Sequence, residues 1–221
     1  MKRAKMSHTP ADLISALLTR ATMPALVWYG KSERIELSGK VVAMHISKLV
    51  GYLLNDLAVS EDTRLVIDLP IHWKTLLWQL AGYASGCQVS SAGTDLSWED
   101  IVVTNAPTDS PGQGVHLALN LDSLALSWNG SLPAGYDDAT AAPMRFADTI
   151  DTSILSSTPL PAVVPPEHAT RALAVLPRDI HTLCSEFIGA AVTNRNLVII
   201  TLEQDIETIL AAENASMWDT I

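Results

Sequence analysis

Arg64-Leu-Val-Ile-Asp-Leu-Pro70-Ile-His72-Trp73-Lys-Thr-Leu-Leu-Trp78-Gln-Leu-Ala-Gly-Tyr-Ala84-Ser-Gly-Cys87-Gln-Val-Ser90 is the stretch whose reading decides the fold. Arg64–Leu69 is a compact apolar run ended by Pro70, which suits a buried strand. His72–Ala84 carries apolar residues at helical spacing, and Cys87–Ser90 reads as a second short strand. Strand, helix and strand joined by such short connections make a parallel βαβ unit.

The same pattern extends in both directions. Upstream, Thr9 caps a first helix with Pro10 at its first position, and Leu13, Ile14, Leu17 and Leu18 form its apolar face. Ala25–Tyr29, the turn Gly30-Lys31-Ser32 and Glu33–Leu37 read as a β-hairpin. Ser38 then caps a long helix with Val42, Ile46, Leu49, Val50, Leu53 and Leu54 on one side. Downstream, Asp100–Thr104 and Val115–Leu119 are expected strands. Residues 131–177 hold seven prolines and little periodicity, which predicts irregular connection with a short helix near Glu167–Leu173. Arg178–Ala190, Leu197–Thr201 and Asp205–Ala212 read as helix, strand and helix. The expected fold is a layered α/β domain: a largely parallel sheet with flanking helices and an N-terminal β-hairpin. A single domain over 1–221 is expected.

Composition narrows the function. The 221 residues are 48% hydrophobic, ample for a core, and carry 24 acidic against 14 basic side chains, a formal net charge of -10. That field repels phosphate backbones and anionic bilayers, so neither nucleic acid nor membrane is an expected partner. The basic cluster Lys2, Arg3 and Lys5 reads as a solvated tail. Cys87 and Cys184 are too few for a disulfide framework and sit in apolar surroundings that suit buried free thiols. No apolar leader segment follows the start and no apolar run is long enough to span a bilayer, so a cytoplasmic location is expected, and the sequons at Asn129 and Asn214 carry no meaning.

Tested one by one, the catalytic motifs fail. Gly30-Lys31-Ser32 ends like a phosphate loop, but Ala25 stands where that loop needs glycine, and the triplet lies between two strands instead of before a helix. Gly112-Gln113-Gly114 begins like a dinucleotide fingerprint, yet Leu117 occupies its third glycine position, and the glycines precede a strand. Both read as turns. His8, His45, His72, His116, His168 and His181 show no metal-ligand spacing, there is no nucleophile elbow, and Asp137-Asp138 reads as solvated charge. No cofactor is expected. Trp78, Trp98 and Trp128 share no stripe and read as core and edge packing. The one pair that stands out is His72-Trp73, at a strand-to-helix turn where open α/β sheets bind ligands. Its alternative is plain packing of Trp73 between helix and sheet.

Pro24-Ala-Leu-Val-Trp-Tyr29, Glu33-Arg-Ile-Glu-Leu-Ser38, Leu65-Val-Ile-Asp-Leu-Pro70-Ile-His72-Trp73 and Ala81-Gly-Tyr-Ala-Ser-Gly86 follow one another in an order that resembles the N-terminal domain of adenylate-forming enzymes, the acyl-CoA synthetase and AMP-binding superfamily. More closely, the string resembles a small family of short actinobacterial proteins, divergent and truncated relatives of that domain. The likeness covers residues 10–130, and Tyr136-Asp-Asp138 through Arg145-Phe-Ala-Asp148 fits the smaller family loosely. The resemblance implies a phosphate loop rich in glycine and hydroxyls and ending in Pro-Lys. The corresponding region is Thr152-Ser-Ile-Leu-Ser-Ser157-Thr158-Pro159, without glycine or lysine. The superfamily's adenine- and magnesium-contacting Tyr-Gly-x-Thr-Glu segment, its ribose-binding Gly-Asp pair and its lysine-bearing C-terminal domain have no counterpart. The expectation is therefore a noncatalytic relative acting as a binding or interaction module. A small-molecule binder for an adenine nucleotide or acyl group is the alternative, and an acid-activating enzyme borrowing phosphate ligands from another chain a third. Apolar surface bared by truncation would make the chain a homodimer.

Overall fold

The computed structural model describes residues 7–31, 33–91, 95–166, 170–201 and 205–218. In chain order the elements are α1 (Pro10–Arg20), β1 (Pro24–Tyr29), β2 (Arg34–Ser38), α2 (Gly39–Asn55), β3 (Arg64–Asp68), α3 (Trp73–Ser85), β4 (Gln88–Ser91), β5 (Ile101–Thr104), β6 (Val115–Ala118), β7 (Tyr136–Asp138), β8 (Ala172–Val175), α4 (Ile180–Val192), β9 (Asn196–Ile200), α5 (Ile206–Glu213) and β10 (Ala215–Met217). Two short 3-10 turns, Ala142–Arg145 and Thr152–Ile154, lie between β7 and β8.

The expected layered α/β fold is present, and its strands fall into two sheets. Among the described residues the strands form one five-stranded sheet in the order β10-β8-β9-β1-β2 and another in the order β4-β3-β5-β6-β7. The first belongs to a compact unit built from Met1–Ala43 and Ser157–Ile221, the second to a unit spanning Met44–Ser156.

In the first unit, β1 and β2 form the expected antiparallel hairpin, with Gly30 N–H donating to the Glu33 carbonyl at its turn, while β1 pairs in parallel with β9. Thr9 and Asp12 close a capping box on α1: the Asp12 N–H donates to Thr9 Oγ1 (3.3 Å) and the Thr9 N–H to Asp12 Oδ2 (2.8 Å). One sheet face buries Val27, Ala172, Ala174, Val198 and Ile200 against Ile209 of α5. Tyr29 and Arg34 both donate to Glu213 at the end of that helix, at 2.5 and 2.9 Å.

The second sheet is parallel throughout. α3 packs on β3 and β4, and its Gly86 C-cap adopts the left-handed conformation that lets the chain turn straight into β4. Trp78 and Leu80 are buried in its core. Trp98, read as packing, is instead 75% exposed, because it falls in the turn before β5 rather than on a strand or helix.

Both cysteines are buried, and burial pushes the Cys87 thiol up to about 11 and that of Cys184 higher still. No described helix is long and apolar enough to cross a membrane.

Differences from the sequence reading concentrate in the proline-rich region. The short helix expected near Glu167–Leu173 is not there in its described part: Ala172 and Leu173 open β8, whose four residues are all buried. Glu167 and His168 lie outside the described residues, as do Lys2, Arg3, Lys5 and Ser32. β7 and β10, three residues each, give no periodic signal.

Two glycines in the first unit are set by close approach. A Cβ on Gly39 would fall on the carbonyl oxygen of Leu17, and one on Gly189 would fall on that of Val163. Both obstacles are backbone and cannot rotate away. Gly39→Ala and Gly189→Ala should each cost about 2 kcal/mol or more in urea unfolding. A Gly189→Ala variant as stable as the parent would show that the 163 segment does not lie against α4.

Candidate functional site

β3, β5, β6 and β7 run in register, so side chains at matching positions form rows across one face of the second sheet. Val66, Val102, His116 and Tyr136 make one row, and Asp68, Thr104, Ala118 and Asp138 the next. Neither β5–β6 nor β6–β7 is joined by a helix; irregular segments make both connections. Over the first row the β5–β6 connection and Leu96, which precedes β5, leave a pocket of about 220 Å³, floored by Val66 and Val102 and walled by His116, Tyr136, Pro111 and Leu96.

Its polar groups are few. Thr104 Oγ1 donates to Asp68 Oδ2 (3.1 Å) and accepts from the Ala106 N–H (3.1 Å). Tyr136 Oη accepts from the Thr108 N–H (3.1 Å) and keeps its own proton to donate. His116 Nε2 lies 3.2 and 3.0 Å from the carbonyl oxygens of Gly112 and Gln113, which only accept, so Nε2 carries a proton. In the neutral ring Nδ1 is then an acceptor. The His116 and Tyr136 rings meet edge to face at 5.5 Å. Asp68 is exposed, and among the described residues no cation pairs with it.

The predicted pair, His72 and Trp73, stands elsewhere in the same unit, and the pocket's lining includes neither. His72 caps α3, its Nδ1 accepting from the Lys74 N–H (3.2 Å), and is 8% exposed. Trp73 is buried, donates from Nε1 to Ser123 Oγ (3.2 Å) and meets the His45 ring at 6.0 Å. Beside them Lys74, itself buried, donates to the carbonyls of Asn120 (2.9 Å) and Asp122 (2.6 Å) and lies over the Trp73 ring. Lys48 likewise reaches the Phe146 carbonyl (2.6 Å) and Asp148 Oδ1 (2.7 Å). The carboxyl edge of this sheet is thus held by its own loops. Asp138, read as solvated, contributes: its carboxylate accepts from the N–H groups of Trp128, Thr140 and Ala141.

The segment that the resemblance aligns with a phosphate loop has a definite structure. Asp151 caps the 3-10 turn, accepting from the Ser153 N–H through Oδ1 (2.9 Å). The Ile154 and Leu155 N–H groups donate to the Asp151 and Thr152 carbonyls, and the Ser156 N–H donates to the Ala84 carbonyl (2.9 Å). Among the described residues no group of three or more His, Cys, Asp or Glu is arranged to hold a metal ion.

No protein-family model and no curated protein matches this sequence. Solved structures do. The Klebsiella oxytoca NpsA N-terminal subdomain in complex with anthranilyl-AMSN superposes with a TM-score of 0.59 over 96% of this chain, at 13% identity. The fold is that of the N-terminal domain of adenylate-forming enzymes. A Mycobacterium tuberculosis fatty acyl CoA synthetase (TM-score 0.58, 13% identity, 93% of this chain) and the amide bond synthetase McbA from Marinactinospora thermotolerans (0.53, 13%, 94%) share it. The chain spans 59% of the NpsA subdomain, 48% of the synthetase and 47% of McbA. At such identity the likeness fixes the fold and leaves the chemistry to the residues present.

Sequence reasoning missed the Asp68, Thr104, His116 and Tyr136 constellation. Arg64–Leu69 and Asp100–Thr104 are legible as strands, but nothing in the string gives the register between them. It also missed Lys74, whose place beside Trp73 on an apolar helix hid its burial.

His72 gives a pH test. Burial, then the charge of Lys74, moves its imidazole from 6.5 down to about 4. Between those values the unfolded chain binds a proton that the folded one refuses. The stabilisation is full above pH 6.5 and is lost as pH falls toward 4, by about 3 kcal/mol in all. His72→Asn keeps a capping side chain without the titration. Urea melts at pH 7 and 4.5 should show the variant losing less stability than the parent; equal losses would contradict the assignment.

Proposed function

We propose that this chain is a non-adenylating relative of the adenylate-forming N-terminal domain that serves as a binding module. The observation that carries the reading is the state of the backbone in the 151–156 segment. A phosphate loop holds its anion on N–H groups that point outward and have no partner of their own. Here the N–H groups of Ser153, Ile154, Leu155 and Ser156 all donate within the chain, and one of their acceptors is a carboxylate, Asp151. A triphosphate arriving there would meet a like charge and would have to break four hydrogen bonds to gain its ligands. The sequence around the turn supplies no lysine in compensation.

The module reading also accounts for the exposed apolar residues of the second unit. Leu124 and Leu126, two positions apart in the β6–β7 connection, are 90% and 81% exposed. They make self-association into a homodimer part of the proposal.

ATP–pyrophosphate exchange across a panel of aliphatic and aromatic carboxylic acids should stay at background, and millimolar ATP–Mg²⁺ should leave the melting temperature unchanged. Light scattering on the same sample should give twice the chain mass. Acid-dependent exchange would overturn the non-adenylating reading, and a monomer at high concentration would remove the dimer.

A further inference from the structure

The pocket over β3, β5, β6 and β7 has a chemistry of its own, and it is the wrong chemistry for a nucleotide or an acid. Among the described residues that line it none is Lys or Arg, and the one carboxylate is that of Asp68. Its acceptors outnumber its donors. Among the described residues only Thr104 donates to the Asp68 carboxylate, and only to one oxygen, while the Tyr136 hydroxyl proton is the donor left over. The Thr104 hydroxyl is engaged on both sides, by Asp68 and by the Ala106 N–H. Behind these groups the floor is aliphatic, Val66 and Val102, and the wall is a pair of aromatic rings.

A ligand that fits must bring N–H donors and positive charge to the Asp68 end and an apolar body to the floor. We infer that the pocket is a site for a small primary amine, an ammonium group attached to a short aromatic or branched aliphatic skeleton. The ammonium donates to the Asp68 carboxylate at the exposed mouth of the pocket. The skeleton lies on Val66 and Val102 against the His116 and Tyr136 rings. Phosphate, carboxylate and acyl-adenylate ligands are disfavoured by the same arrangement, since each would set an anion beside Asp68 with no cation in the lining to offset it. The assignment deepens the reading of the chain as a binding module and rests on it.

The test uses the full chain and three ligands of one shape: benzylamine, benzyl alcohol and benzoate, titrated by amide chemical shifts. Benzylamine should bind saturably and move the resonances of Thr104, His116 and Tyr136. Benzyl alcohol and benzoate should bind at least tenfold more weakly. Asp68→Asn should erase the preference for the amine over the alcohol without changing the fold, because Asp68 is exposed and its one partner, Thr104, can still donate to the amide oxygen. Equal binding of amine and alcohol by the wild-type chain would overturn the inference, as would a preference for benzoate or an unchanged preference in Asp68→Asn. Pyrophosphate exchange is a separate readout. Its appearance would end the module reading whatever the amines do, and its absence together with no amine preference would end this inference alone.

Discussion

Parallel strands cannot be joined by a tight turn, so each connection in the β4-β3-β5-β6-β7 sheet has to climb over a face of that sheet. Between β3 and β4 a helix makes the crossing, and α3 buries its apolar side in doing so. Between β5 and β6, and again between β6 and β7, irregular chain makes it. Irregular backbone cannot satisfy itself as a helix does and must find acceptors and donors nearby. Much of the polar structure of this unit answers that need. Lys74 holds the carbonyls of Asn120 and Asp122, Asp138 takes the N–H groups of Trp128, Thr140 and Ala141, and His116 anchors the carbonyls of Gly112 and Gln113. A loop also covers a sheet face less completely than a helix, and the pocket over Val66 and Val102 is the space left.

The same accounting of backbone groups carries the proposal that this chain does not adenylate. Adenylation depends on free N–H groups and positive charge around phosphates, whereas the N–H groups of Ser153, Ile154, Leu155 and Ser156 donate within the chain. The scaffold and the reaction are separable properties: the first is set by which strands pair and which faces are apolar, the second by a handful of unpaired polar groups. Here the fold is shared with the NpsA subdomain at 13% identity.

Much of the architecture was legible because it is written locally. Thr9-Pro10, the hairpin around Gly30 and the 64–90 βαβ unit each carry their own signal in capping, turn and period, and each stands where that signal puts it. What was not legible is long-range. The pairing of β1 with β9, about 170 positions later, divides the strands between two sheets, and no local pattern encodes it. Residues 172–175 are fully buried in a sheet, so the strand shows no alternation and its Ala-Leu-Ala-Val reads equally well as helix. The site suffered from the same gap. His72-Trp73 drew notice as an imidazole and an aromatic at a strand-to-helix turn, where one caps the helix and the other is buried, whereas Asp68, Thr104, His116 and Tyr136 come together only through strand register.

The central claim is that the 151–156 backbone is closed to phosphate. Amide resonances of Ser153, Ile154, Leu155 and Ser156, followed while ATP–Mg²⁺ is raised to several millimolar, test it without relying on turnover. The account predicts that all four stay where they are. A saturable shift confined to these four amides would contradict it.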